Sequence, residues 1–183
     1  MNIAILNGDS EAASPFQAYL LKLSQKLKDR GHTVIKLDLA TLNLKGCSGC
    51  WGCWVKTPGE CVKHDGSATV RRAIIDSDLT LLASPITMGF TSALLKRAAD
   101  QMVPLIHPYF VVEGGEIHHR ARYARYPLMA LLLDAGEQAD AEDIEMTTAI
   151  WRRTARNLKT RLAFTAVASR DAEEVANELT LVA

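Results

Sequence analysis

Short apolar stretches recur along the chain, and their spacing switches between two periods. Five runs rich in aliphatic and β-branched residues predict strands: NIAILN (2–7), TVIKLDL (33–39), LTLLASP (79–85), LMALLLD (128–134) and LAFTAVA (162–168). The third and fourth are nearly unbroken apolar runs, as expected of parallel strands covered on both faces. Between the runs, apolar positions repeat every three or four residues. In PFQAYLLKLSQKLKDRG (15–31) the positions Phe16, Leu20, Leu23 and Leu27 share one face, and Gly31 offers a stop. SATVRRAIIDS (67–77), TSALLKRAADQM (91–102), AEDIEMTTAIWRRTARNLKTR (141–161) and DAEEVANEL (171–179) predict four more helices. On the longest of these, Ile144, Thr148, Trp151, Ala155 and Leu158 mark the inner face, and Arg152 and Arg153 a solvated one.

Strand and helix alternate throughout, which forces parallel pairing through right-handed crossovers. The pattern predicts an α/β protein of three layers, a flavodoxin-like fold with a five-stranded parallel sheet in the order 2-1-3-4-5. One excursion, residues 104–127, breaks the rhythm before strand 4: YFVVEGGEIHH (109–119) reads as a β-hairpin turning at Gly114-Gly115. A hairpin so placed cannot easily bury both faces on its own domain. It is expected to meet a partner subunit or to cover a ligand site, and with the tryptophans it points to a homodimer or homotetramer. His118 and His119 read as a polar hairpin end rather than as metal or substrate ligands.

The chain has 183 residues, and no linker or repeat divides the pattern, so residues 1–183 are expected to form one domain. Lys+Arg (21) balances Asp+Glu (21), which leaves no strong field for nucleic acid or an anionic membrane. No apolar run approaches the roughly 18–20 residues of a membrane span, and MNIAILNG lacks the shape of a signal peptide. The expectation is a cytoplasmic setting, where crowded cysteines more often serve metal or redox chemistry than disulfides.

Ligands of such sheets lie beyond the carboxyl ends of the strands, at the switch point beside strands 1 and 3. After strand 1 comes NGDSEAASPFQ (7–17). A helix start there offers free N–H groups and a positive dipole end to a phosphate, with Ser10 and Ser14 as added donors. The same residues read equally well as a plain cap: Ser14 as N-cap, Pro15 at the first helical position and Gln17 at the third. Asp9 and Glu11 would repel an anion, and neither a G-x-G-x-x-G nor a Walker lysine is present. After strand 3, Pro85 is expected to end the strand, Gly89 to permit a tight turn, and Thr91 or Ser92 to start the helix. A planar ring suits this loop, with Pro85, Ile86 and Met88 covering its face; an ordinary glycine-containing connection reads as well. After strand 4, Asp134 and Gly136 reach the edge and Asp140 is placed to cap the long helix.

All four cysteines lie in KGCSGCWGCWVKTPGECVKHDG (45–66), spaced C-x2-C-x2-C-x7-C at Cys47, Cys50, Cys53 and Cys61. Thiolates at that spacing can reach one four-iron four-sulfur cluster. Zinc prefers two separated C-x2–4-C pairs and fits less well. Unligated cysteines packed as small apolar residues are the other reading, and Trp51 and Trp54 favour it. His64 beside Asp65 is either a proton relay or a loop histidine capping nearby backbone.

Taken together these segments resemble the NAD(P)H-dependent FMN reductase branch of the flavodoxin-like superfamily. SPITMGFTSALLKRAADQM (84–102) resembles that branch's S-P-x-x-x-G-x-x-S-A-x-L-K-x-x-x-D segment. GCSGCWGCWVKTPGECVKHDG (46–66) resembles the stretch after its strand 2, and HPYFVVEGGEIHHRARYARYP (107–127) the excursion of one subgroup. The resemblance implies FMN as cofactor, NAD(P)H as electron donor, and a small-molecule acceptor or redox protein as partner. It implies phosphate contacts from Ser10, Ser14 and the backbone of Phe16 and Gln17. It places the ring on Ser84, Pro85, Ile86, Thr87, Met88 and Gly89, with Ala135 and Gly136 opposite, and the cofactor rather than a side chain carries the chemistry. The cysteine spacing is similar to that of the related iron–sulfur flavoproteins, which implies an electron carrier with Cys47, Cys50, Cys53 and Cys61 on a cluster. Two stretches depart from the branch: Gly8-Asp9-Ser10-Glu11 stands where it has G-S-P-R, and His64-Asp65-Gly66 where it has D-D-M. The acids of the first loop also support a third reading, a flavodoxin-like binding module without flavin.

Overall fold

The structure is a computed structural model that describes residues 1–137 and 139–182. Its central sheet joins β1 (Asn2–Asn7), β2 (Thr33–Asp38), β3 (Leu79–Thr87), β7 (Leu128–Asp134) and β8 (Leu162–Val167) in the order β2-β1-β3-β7-β8, all parallel. This is the expected 2-1-3-4-5 order. The unbroken apolar runs have the predicted cause, for successive residues feed opposite cores. On β7, Ala130 and Leu132 face one core, while Met129, Leu131 and Leu133 face the other. The first core is covered by α1 (Pro15–Asp29) and α6 (Ala172–Val182), through Phe16, Leu20, Leu23, Leu27, Val175 and Leu179. The second is covered by α3 (Ser67–Ile75), α4 (Ala93–Asp100) and α5 (Ala141–Asn157), through Val70, Ile74, Leu95, Ala98, Trp151 and Ala155. Among the described residues, no helix is long and apolar enough to cross a membrane.

Three features correct or complete the sequence reading. Pro85 does not end its strand: β3 runs to Thr87, turns through Met88-Gly89, and pairs back antiparallel with β4 (Phe90–Thr91). Proline removes only a donor, and an extended backbone suits its fixed φ, so it is tolerated at the rim of a sheet. The helix that follows starts at Ala93, and Ser92, one of the two expected starters, is its N-cap. A short helix that the sequence did not reveal, α2 (Gly52–Val55), lies inside the cysteine segment behind Trp51, whose φ of 57° is left-handed.

The excursion forms the expected hairpin, β5 (Ile106–Glu113) and β6 (Glu116–Ala121), turning at Gly114 (φ 58°) and Gly115 (φ 80°). Positive φ at both turn positions is what a two-residue hairpin loop needs. One face docks on the C-terminal half of α5. His118 is buried, its ring nitrogens 3.1 Å from Asn157 Oδ1 and 3.1 Å from Glu116 Oε2, while Glu116 pairs with Arg153 (3.0 Å) and Arg156 (3.2 Å). His118 is thus the hairpin's anchor, not a loose polar end. The hairpin docks away from the carboxyl rim of its own chain: Asn157 lies about 20 Å along α5 from the first turn, at 1.5 Å per residue.

Candidate functional site

Three loops gather at the carboxyl rim because their strands end side by side, with Asn7 opposite Ala83 and Pro85 opposite Asp134. The loop after β1 is pinned at Gly8. Its N–H donates to the Ala83 carbonyl (2.8 Å), and its own carbonyl accepts from the Ser92 hydroxyl (2.6 Å). A Cβ at Gly8 would stand 2.7 Å from Ser92 Oγ and 2.9 Å from Leu95 Cβ, so only glycine fits. The loops that open α1 and α4 are locked together there.

Asp9, next along, is buried at 5% exposure and turns inward. Its N–H donates to Asn7 Oδ1 (3.0 Å), and its carboxylate accepts from the Glu11 N–H (3.0 Å) and from the Ser14 hydroxyl. Ser14 is the N-cap of α1 as expected, accepting from the Gln17 N–H (3.0 Å). The reciprocal half of the capping box is missing, because Gln17 Oε1 instead accepts from Lys36 Nζ at 3.4 Å. Asn7 is fully buried and donates to Asp38 (2.7 Å), which also pairs with Lys36. Burial works to raise the Asp38 carboxyl, yet the hydrogen bonds from Lys36 and Asn7 outweigh it and hold it below its ordinary value. Of the residues assigned to a phosphate, Ser14 gives its hydroxyl to Asp9 and takes the Gln17 N–H, Ser10 is exposed, and Phe16 sends its side chain into the core while its backbone N–H stands in the first turn of α1.

Around the loop after β3 the assigned residues divide. Ser84 is fully buried and accepts from the Ser92 N–H (2.9 Å), so its side chain shapes the loop from behind. Pro85 and Ile86 are half-buried, and Thr87 and Met88 are exposed. Met88 (φ 52°) and Gly89 (φ 75°) form the tight turn, and the Met88 side chain is 101% exposed. A left-handed backbone costs a non-glycine residue about 1 kcal/mol, which marks this turn as strained. The first turns of α5 brace it: the Thr147 hydroxyl donates to the Gly89 carbonyl (3.4 Å), and Asp143 Oδ1 would lie 2.9 Å from a Cβ at Gly89. Opposite, Ala135 is half-buried and Gly136 (φ 57°) exposed, its N–H donating to Asp134 Oδ1 at 3.3 Å. Asp140 caps α5 in a full capping box with Asp143. Asn7 belongs to this rim too, and no local sequence signal marks it, because its partner Asp38 is distant in the chain; Ser92 was marked as a helix start, but its bond to Gly8 across the rim was not.

These residues fit a flavin in part. The open turn at Met88-Gly89 and the bare backbone at Gly136 suit the two sides of a flat ring. The first loop does not fit the terminal phosphate of FMN. Its Glu11 N–H and Ser14 hydroxyl are engaged by Asp9, and the ammonium of Lys36 is engaged by Asp38.

The cysteine segment runs down the flank of α4. The Leu44 carbonyl accepts from Arg97 (3.1 Å), and Trp54 Nε1 donates to the carbonyls of Ile106 (3.0 Å) and Val103 (3.2 Å). Cys47, Cys50, Cys53 and Cys61 all line one cavity of about 70 Å³, together with Asp100, Gln101, Val103 and Pro104. That cavity lies at the far end of α4 from Ser92. Cys47 and Cys50 are exposed and all four thiols are free. The Gly52 N–H, the Ser48 hydroxyl and the Lys63 charge hold the Cys50 thiol below its usual value against slight burial. Burial pushes the Cys53 thiol up, and the neighbouring Cys61, Cys47 and Cys50 add to the push. The donor set suits a thiolate-bound cluster, but the sulfurs do not converge: among the described residues no three His, Cys, Asp or Glu side chains approach closely enough to hold a metal ion.

Trp51 stacks on Trp54 (4.8 Å), and Trp54 meets His119 (4.9 Å), which meets Phe110 (5.0 Å). This row joins the cysteine segment to the hairpin. Asp65, rather than His64, does the capping at α3. It accepts from the N–H groups of Ser67 (3.0 Å) and Lys45 (2.9 Å), and from the Ser67 hydroxyl. Burial opposes its ionisation, but these bonds hold its carboxyl below the ordinary value. His64 is exposed and lines a cavity of about 560 Å³ with Arg71, Arg72 and Tyr123, away from the rim.

The family model for NADPH-dependent FMN reductase matches residues 1–142. The chain belongs to that family. The three rim loops lie beyond the carboxyl ends of the strands, where open α/β sheets of this kind receive their ligands. An iron-sulfur flavoprotein of Archaeoglobus fulgidus is 32% identical over 83 residues, 45% of this chain and 37% of that protein. The match thus spans little more than a third of that curated relative. Among solved structures, an azoreductase from Bacillus anthracis superposes with a TM-score of 0.67 at 12% identity, over 100% of this chain and 92% of that one. The NAD(P)H:quinone oxidoreductase of Methanothermobacter marburgensis gives 0.63 at 18% identity, over 99% and 93%. At such identities the two structures speak for the fold.

Proposed function

We propose that this member of the NADPH-dependent FMN reductase family seats a flavin ring between the turn at Pro85, Ile86, Thr87, Met88 and Gly89 and the backbone of Ala135 and Gly136, and passes electrons to a small-molecule acceptor such as a quinone. One observation carries the reading: the Met88-Gly89 turn and Gly136 stand at adjacent strand ends, left bare by their own side chains. When bound, the flavin would accept hydride from NAD(P)H and deliver electrons onward. The chain's part is to orient it. Met88 lies where it can cover one face, and Asp143 and Thr147 hold the turn in its strained form. No side chain at the rim is needed as acid or base, since the cofactor carries the chemistry. Titration of the purified protein with flavins, read as fluorescence quenching and followed by anaerobic NADH and NADPH oxidation with a quinone, tests this. Absence of quenching at high micromolar flavin would favour the flavin-free binding module instead.

A second reading has its own observation. Because four cysteines line a single cavity, and burial together with the three neighbouring thiols pushes the Cys53 thiol up, an iron–sulfur cluster on Cys47, Cys50, Cys53 and Cys61 would take up the crowded sulfurs as thiolates. The exposed strands of chain at Cys47 and Cys50 would have to close inward. Protein purified without oxygen and assayed for iron, sulfide and zinc decides it; iron-free, yellow protein removes the cluster. The partner reading is a second copy of this chain. The outer hairpin face exposes Phe110, Val112 and Ile117 beside exposed Trp51 and Val55, and a monomeric mass in sedimentation would count against it.

A further inference from the structure

A buried carboxylate persists only with a counter-ion or enough hydrogen-bond donors. Asp9 has donors alone, the Glu11 N–H at 3.0 Å and the Ser14 hydroxyl, at the mouth of α1 where the helix dipole also favours an anion. A phosphate would seek the same donors and the same dipole. The chain has filled the place from within. We infer that Asp9 is a tethered anion seated in the cradle where a flavin's terminal phosphate would lie, so that this chain binds riboflavin in preference to FMN. The inference rests on the flavin reading above.

Asp9 cannot step aside with its backbone. Its N–H is held by Asn7 Oδ1 (3.0 Å), Asn7 is fully buried and held by Asp38 (2.7 Å), and Gly8 is fixed on both sides by Ala83 and Ser92. Only rotation of the side chain would clear the cradle, and that gives up both of its donors. The lysine beside this loop, Lys36, is already paired with Asp38, while Glu11 adds another carboxylate at the loop surface. Riboflavin meets the loop differently. Its side chain ends in a hydroxyl, which can donate to the Asp9 carboxylate, and a bond to a charged acceptor is stronger than one between neutral groups. The same side chain therefore repels the phosphorylated ligand and holds the unphosphorylated one.

The test is a pair of dissociation constants, for riboflavin and for FMN, measured by fluorescence quenching on the wild-type protein, Asp9→Asn and Asp9→Ser at low and high salt. Wild-type protein is expected to bind riboflavin more tightly, and its FMN affinity to rise with salt as the repulsion is screened. Asp9→Ser, which empties the cradle and leaves a hydroxyl, is expected to shift the ratio toward FMN by at least about tenfold, or about 1.4 kcal/mol. Asp9→Asn keeps the volume without the charge and is expected to shift it less, in the same direction. Wild-type protein that binds FMN as tightly as riboflavin or more so overturns the inference, and so does a ratio that neither variant moves. If the variants do not fold, the wild-type ratio and its salt dependence decide alone. Failure of all three proteins to bind either flavin sinks the flavin reading itself, whereas a preference for FMN leaves that reading standing and removes only the role given to Asp9.

Discussion

The loops that open α1 and α4 begin alike and end with opposite surfaces. Each follows a central strand, and each closes on a serine N-cap, Ser14 and Ser92. The Ser14 hydroxyl gives its proton to a carboxylate of its own loop, which also takes the Glu11 N–H. The Ser92 hydroxyl gives its proton to Gly8 across the rim, and the chain before it projects as a tight turn crowned by an exposed methionine. A cap fixes where a helix starts; what the loop offers a ligand depends on where the cap's proton goes. The first loop is closed by its own acid and the second is held open by its neighbour.

The largest effect is expected where the two loops touch. Gly8→Ala puts a methyl 2.7 Å from Ser92 Oγ, 2.9 Å from Leu95 Cβ and 3.3 Å from the Ala83 carbonyl. Serine cannot turn away without losing its bond to Gly8, and helix and strand atoms do not yield easily. A loss of about 3 kcal/mol is expected, seen as a fall in the urea midpoint. Gly46→Ala is the control, since nothing lies within 4 Å of a Cβ there, and its effect should stay within about 0.5 kcal/mol. Equal midpoints for the two variants would mean that the loops move independently.

The capping serines are expected to differ in kind as well as size. Ser14→Ala removes a cap and one donor to a buried carboxylate, a loss of about 2 kcal/mol. Combined with Asp9→Asn, the same change should cost about 1 kcal/mol, because only the cap remains to be lost. Ser92→Ala removes a cap and a neutral bond, costing just under about 2 kcal/mol, and Asp9→Asn should not alter that figure. A double-mutant cycle on urea midpoints measures both couplings. A coupling to Ser92 as large as that to Ser14 would contradict the picture of one closed loop and one open one.

The sheet was legible because its signal is local. Runs such as LMALLLD feed two cores at once, and the five expected strands appear within a residue or two of their runs. The hairpin turn was legible for the same reason, since Gly114-Gly115 suits two positive φ values. The continuation of β3 was hidden, because its turn carries methionine at a position where asparagine or glycine would have announced it. That Asp9 turns inward, onto the Glu11 N–H and the Ser14 hydroxyl, was hidden as well. Its direction is set by Asn7 and Gly8, and those are held by Asp38, Ala83 and Ser92, which no local pattern connects. The cysteines were found by spacing, but their distance from the rim was not. That depends on Trp54 bonding to carbonyls at Val103 and Ile106.

The smallest effect on stability is expected at the tip of the open loop. Met88→Gly relieves a left-handed backbone worth about 1 kcal/mol, and it returns about 0.5–1 kcal/mol of chain entropy to the unfolded state. The side chain is fully exposed, so no packing is lost. The urea midpoint should therefore hardly move, with a net change within about 0.5 kcal/mol. Flavin affinity should fall about fivefold, the worth of roughly 40 Å² of apolar cover over a ring. That fall should be the same for riboflavin and for FMN, because Met88 would touch the part that the two share. Substitutions at Asp9 should separate the two ligands and Met88→Gly should not. A methionine variant that discriminated between them would place the phosphate at the turn after β3, and the assignment of ring and tail to the two loops would have to be reversed.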